Sequence, residues 1–253
     1  MKRVFTPAFV LGGLAAPAAT LAQEANPAIF AVYYECDQNR EAFTDQLQRN
    51  VFGPRLDARV ESGDLLSWGW LSHRIGGDWR RAQYAIAPDR ATLLRVRNEM
   101  IEEAQGDAEL QQATAVSNDI CPDHEDYVWR VVASSDPQGF GQSRPSAGMS
   151  TYYVCDIARE SRADEIVQES LVPIMNRHVG PDALNSWGWV AHDVGGEFRR
   201  LFTIDAADEA TLYAHLDAML ADIQGEAMEA ATEFNEICSS HVDYQWDITI
   251  SRP

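Results

Sequence analysis

Four histidines, four cysteines and two Arg-Arg pairs are the side chains best suited to chemistry, and they fall at matching places in two halves of the chain. His73 and His192 each follow a Ser-Trp-Gly-Trp string, at Ser67–Trp70 and Ser186–Trp189. Each precedes a Gly-Gly pair and then Arg80-Arg81 or Arg199-Arg200. An imidazole works as acid, base or hydrogen-bond partner near neutral pH. A guanidinium beside it can pair with an acid or clamp an anionic group. Gly69 and Gly188 leave a position without a side chain on the face that carries the histidine, which suggests a pocket floor with one polar group. The ligand-binding candidates are therefore His73, His192, Gly69, Gly188, Arg80, Arg81, Arg199 and Arg200. The structural alternative is a histidine that fixes the hairpin through hydrogen bonds. His178 and His215 align with Arg59 and Val96, so a function shared by both halves cannot need them.

These residues sit inside a duplication. Shifting the sequence by 119 residues superimposes Tyr33-Tyr34-Glu35-Cys36-Asp37 on Tyr152-Tyr153-Val154-Cys155-Asp156, and between 33 and 81 it gives 19 identities in 49 positions. After Gly106 and Gly225 the second copy is two residues shorter, and Cys121, His124, Asp126, Tyr127 and Trp129 then match Cys238, His241, Asp243, Tyr244 and Trp246. The organisation expected is a signal peptide at 1–22, one repeat at 23–133, a Ser/Pro/Gly-rich linker at 134–149 and a second repeat at 150–253.

Within each repeat the pattern reads strand, helix, strand, strand, helix with a short second helix, strand. In the second copy the strands are expected at 151–155, 184–193, 197–204 and about 244–250. Pro54 and Pro173 should kink or shorten the first helix. Gly76-Gly77 and Gly195-Gly196 supply the positive φ of a tight hairpin, and Asp208 lies in an N-cap region. Asp37 and Asp156 are placed to be caps as easily as acids. Tryptophans 68, 70, 187 and 189 read as core. This order is the ferredoxin-like βαββαβ pattern. Two such units resemble the dimeric α+β barrel superfamily, with its EthD, NIPSNAP and antibiotic-biosynthesis-monooxygenase families. The resemblance implies an α+β fold with two tandem ferredoxin-like repeats packed as a pseudo-twofold barrel, sheet against sheet and helices outside.

In that topology the end of the first strand lies near the start of the fourth. The expected disulfides are Cys36–Cys121 and Cys155–Cys238, as an oxidising compartment permits. The alternative is zinc on Cys36, Cys121 and His124, repeated as Cys155, Cys238 and His241.

Composition narrows the rest. Thirty-nine acidic against 20 basic residues give a net charge of −19, which argues against a nucleic-acid surface. The only lysine is Lys2, so Schiff-base chemistry, pyridoxal phosphate and a P-loop lack their essential residue once the N-terminus is removed. Lys2 and Arg3, a short apolar stretch and Thr20-Leu21-Ala22 form a secretory signal, so a periplasmic or secreted monomer without a membrane span is expected. No cofactor is indicated by any motif. The leading function is binding of a small molecule in duplicated pockets between sheet and helices, lined by His73 and His192. The alternatives are a cofactor-independent oxygenase or haem-handling enzyme, implied by the superfamily resemblance, and a non-catalytic structural envelope protein.

Overall fold

The computed structural model describes residues 26–135 and 145–252. The expected signal peptide and most of the linker lie outside the described residues. The strands of the first half are β1 (Ala28–Glu35), β2 (Ser67–Ile75), β3 (Arg81–Ala87) and β4 (Asp123–Ser134); those of the second are β5 (Ala147–Val154), β6 (Leu184–Val194), β7 (Arg200–Ala206) and β8 (Ser240–Arg252). Both ends of the expected linker are thus strand, with β4 reaching Ser134 and β5 beginning at Ala147.

The eight strands close one antiparallel barrel in the order β1-β3-β2-β8-β5-β7-β6-β4. The barrel expected from two facing sheets is present, and it is closed by strand pairing as well as by packing. The halves join along their edges, β2 with β8 and β4 with β6, from Trp68↔Arg252 to Trp129↔His192. Edge pairing satisfies backbone groups that two open sheets would leave exposed. Register shifts interrupt both joints, between Trp70 and Leu71 on β2 and between Val128 and Trp129 on β4. Such bulges increase local twist where the sheet must turn.

Alternation along each strand sends one face to the barrel interior and the other to the helices. Ile29, Ala31, Tyr33, Ala82, Ile86, Trp129, Tyr152, Val190, Leu201 and Trp246 form the interior cluster. Trp68 and Trp70 face outward among Leu56, Leu93 and Val96; Trp187 and Trp189 face outward among Ile166, Met175 and Leu212. Each indole N–H finds a helix acceptor: Asp57, Asp45, Asn176 and Asp164 respectively. Burying an indole without such a partner would leave its donor unsatisfied.

The helices of the first half are α1 (Glu41–Leu47), α2 (Gly53–Glu61), α3 (Arg90–Gly106) and α4 (Ala108–Ile120). Those of the second are α5 (Glu160–Ile166), α6 (Val172–Met175), α7 (Glu209–Glu226) and α8 (Met228–Ile237). The prolines do not break the first helix of either half. A π-helical turn, Gln48–Phe52 or Val167–Leu171, carries α1 into α2 and α5 into α6. In that turn Gly53 N–H donates to Gln48 O, and Val172 N–H to Val167 O. The widened turn separates Pro54 and Pro173 from the carbonyl an α-helix would press against their rings. Asp89 and Asp208 cap α3 and α7 by accepting from Thr92 N and Thr211 N. Asp37 and Asp156 also prove to be local caps, accepting from Asn39 N and Ala158 N.

Cys36 is bonded to Cys121 and Cys155 to Cys238, so the zinc alternative lacks thiolates. The bridges span 85 and 83 residues and each ties the end of a first strand to the start of a fourth. In the chain-entropy account each contributes about 4–5 kcal/mol. Among the described residues no helix is long and apolar enough to cross a membrane.

Candidate functional site

The segment between β2 and β3 runs from Gly76 to Arg80 and is not the tight two-residue hairpin expected. It turns Trp79 inward, and its counterpart turns Phe198 inward, across one end of the barrel. Trp79 lies between Tyr33 and Tyr244, with ring centroids 4.3 and 4.9 Å away and both pairs stacked. The glycines serve this closure across the two halves. A Cβ on Gly76 (φ +142°) would lie 2.7 Å from Tyr244 Cδ1, and one on Gly195 (φ +148°) 2.7 Å from Tyr127 Cγ. Each half therefore supplies the tyrosine that rests on the other half's glycine pair.

His73 and His192 stand at this closed end. Arg80 Nη1 donates to His73 Nδ1 at 2.7 Å, and Arg199 Nη1 to His192 Nδ1 at 2.7 Å. A guanidinium cannot accept, so both imidazoles are neutral and carry their proton on Nε2. Burial and the adjacent arginine charge hold both histidines below their ordinary pKa. The ring of His73 meets Tyr244 and Trp246 edge to face, as His192 meets Tyr127 and Trp129. Arg80 also forks onto Glu41, with both hydrogen bonds at 3.0 Å, and Arg199 pairs with Glu160. Burial pushes Glu160 up, but the hydrogen bond from Arg199 and the charges of Arg200 and Arg199 leave it below its ordinary value.

The second arginine of each pair is buried. Arg81 and Arg200 are 4 % and 3 % exposed and fork onto Asp45 and Asp164. Those carboxylates also accept the Trp70 and Trp189 indoles. The arginines are thus engaged by the acids of α1 and α5. The space at Gly69 is filled by the Tyr84 ring across the strand pair. None of the eight sequence candidates lines either of the two apolar cavities described next.

The larger cavity, about 410 Å³, lies between the outer face of the second half's strands and its helices. Met149, Tyr153, Trp189 and Phe202 form its sheet side; Leu171, Met175, Leu216, Met219 and Phe234 form its helix side. Its polar lining is Thr151, Asn235, His241 and Asp243, the last two 3.4 Å apart and each about half exposed. The first half handles the matching place differently. Phe30 stands where the second half has Met149, Arg97 where it has Leu216, and the Arg97 guanidinium sits 5.1 Å over the Phe30 ring.

A smaller cavity, about 120 Å³, lies in the barrel lumen. Asp205 lines it and accepts from Ser186 Oγ. Sequence reasoning passed over both cavities because it looked for what the copies share. The signal was where they differ.

No family model matches the sequence, and no curated protein matches it. Solved structures match its fold. A candidate monooxygenase from Lactobacillus acidophilus NCFM superimposes with a TM-score of 0.62 at 7 % identity, covering 89 % of this chain and 95 % of the other. A candidate monooxygenase from Fusobacterium nucleatum gives 0.62 at 11 %, covering 90 % and 94 %. An anthrone oxidase-like protein gives 0.56 at 10 %, covering 91 % and 94 %. The chain has the dimeric α+β barrel fold, built here within one polypeptide.

Proposed function

We propose that this protein is an exported, tandem ferredoxin-like barrel that binds one small, mainly apolar molecule in the cavity between strands and helices of its second half. The observation that carries the reading is the 410 Å³ space walled by Met149, Phe202, Leu216 and Met219, with its polar groups confined to Thr151, Asn235, His241 and Asp243. A concave, mainly apolar space with a few polar groups is how small-molecule sites are built. The site expected in duplicate becomes a single one, because Phe30 and Arg97 occupy the first half's equivalent. His73, His192 and their arginines act in this reading as braces for the barrel end. The two disulfides fit an oxidising compartment outside the cytoplasm.

The test uses N-phenyl-1-naphthylamine, a neutral apolar dye whose fluorescence rises on leaving water. The native chain should take up one equivalent. The double variant Met149→Phe/Leu216→Arg installs the first half's own filling and should abolish uptake without unfolding the protein. Uptake unchanged in that variant would show the dye, and the site, to be elsewhere. Intact mass of exported protein tests removal of residues 1–22.

A second reading is a cofactor-independent oxygenase acting in the same cavity. The oxygenase descriptions of the structural neighbours favour it, together with the His241–Asp243 pair beside bound substrate as a proton acceptor. Oxygen uptake on addition of an anthrone, lost in His241→Ala, separates catalysis from binding.

A further inference from the structure

The barrel lumen carries a buried acid that the reading above does not use. Position 205 faces inward, where the first half has Ile86 in its interior cluster. The change does not stand alone. Along the same stretch of wall the second half has Gly148 for Ile29, Ser150 for Ala31, Asn185 for Leu66 and Thr203 for Tyr84. Gly148, Ser150, Thr203 and Asp205 all line the lumen cavity, and Asn185 lies beside Asp205. Removing the side chain of Ile29 and the ring of Tyr84 from one half is what opens about 120 Å³ in an otherwise filled barrel. The polar substitutions surround the space so opened.

Among the described residues the acid has a hydrogen-bond donor but no counter-charge. Ser186 Oγ donates to it, the Asn185 amide lies beside it, and the Tyr84 hydroxyl is near enough to feel its charge. Among the described residues that line the cavity there is no lysine, arginine or histidine. Burial pushes the Asp205 carboxyl up to about 6. A carboxylate left unpaired in an apolar interior is costly, and a cation supplied from outside relieves that cost. The remaining walls suit a cation with an apolar body. Trp129, Trp246, Tyr33, Tyr84 and Tyr152 present rings, and Leu71, Ile86 and Ile248 present aliphatic carbon.

From the cavity, the single carboxylate and the aromatic walls, we infer that the barrel lumen is a second binding site, selective for a small organic ammonium ion, with Asp205 holding the charged head. A space of this size suits about four to six carbons, since a cavity of about 150 Å³ holds benzene. The acidic surface concentrates cations around the molecule and favours the same ligand class.

The experiment is titration of the full, disulfide-bonded chain at pH 8 with n-butylammonium chloride and with 1-butanol, followed by calorimetry and ligand-observed NMR. Native protein should prefer the ammonium ion by about tenfold or more, as a charge-assisted hydrogen bond allows. Asp205→Asn keeps hydrogen bonding but removes the charge; it should bind both probes with similar affinity and melt no lower than the native chain. Thr203→Tyr, which restores the first half's residue, should lose both probes. Equal affinity of the native chain for the two probes, or binding of neither, would overturn the inference.

Discussion

Replacing Gly76 with alanine tests whether the two halves are locked at the closed end as the geometry requires. Two costs arise. The backbone at Gly76 has φ +142°, a region in which a Cβ is strained by about 1–2 kcal/mol. The new methyl group would also meet Tyr244 Cδ1 at 2.7 Å and the Asp243 carbonyl at 2.8 Å, and overpacking costs about 1–3 kcal/mol. The expected loss is about 2–5 kcal/mol, or about 4–20 °C in melting temperature for a chain of this size. Tyr244→Ala removes one of the two obstacles and is itself destabilising by about 3–5 kcal/mol. In a double-mutant cycle, Gly76→Ala should cost at least 1 kcal/mol less in the Tyr244→Ala background than in the native one. Urea unfolding of the oxidised protein, monitored by circular dichroism, measures all four corners. Strict additivity would refute the claim that the glycine is there for the other half's tyrosine.

The histidines and Asp205 give opposite pH signatures. His73 and His192 have folded pKa values held below the unfolded value of about 6.5, so their contribution is present above that pH and is lost as pH falls through the lowered values. The double variant His73→Gln/His192→Gln should melt lower than the native chain at pH 8, lose less stability on acidification, and leave naphthylamine uptake unchanged. A variant that loses the dye but keeps its melting temperature would return both histidines to the ligand site. Asp205 is the reverse case: its folded pKa of about 6 exceeds the unfolded value, so its contribution is full below about pH 4 and is lost as pH rises through 6. Asp205→Asn should therefore gain about 2–4 kcal/mol relative to the native chain between pH 4 and pH 8 without added ligand. A flat difference across that range would show that the carboxyl is not buried.

The fold was legible because its evidence is repetitive. The 119-residue shift exposed two equivalent units, period-two alternation in Tyr244–Ile250 marked a strand, and the cysteine positions followed from element order. Two details escaped for physical reasons. Whether two sheets stack or join depends on edge pairing between residues 184 apart, Trp68 and Arg252, which no local pattern encodes. A π-helical turn looks like any helix followed by proline. The site was less legible. His73 and Arg80-Arg81 recur in both halves because they build the closed end and anchor α1 and α5. Both cavities arise where Arg97 becomes Leu216, Phe30 becomes Met149 and Ile86 becomes Asp205, differences that a search for shared residues sets aside.

Joining the halves along β2·β8 and β4·β6 also fixes the order of events as the chain folds. Pairings within the first half reach 102 residues, as at Ala28↔Arg130, and those of β4 with β6 at most 66, whereas the β2·β8 pairings that complete the barrel span 170 to 184. Loop-closure entropy makes such long-range pairings late and slow. Until the second half is complete, the first presents two open edges, β2 and β4, and an unfilled concave face bearing Tyr33 and Trp129. Such a species is prone to pair with its neighbours. Each disulfide lies within its own half, so each can form before closure and hold its sheet curved for the partner. Refolding from the oxidised, unfolded chain should accordingly show an early phase that is independent of the second half. The step that buries Trp129 and Trp246 would then be slower, and the yield would fall as protein concentration rises.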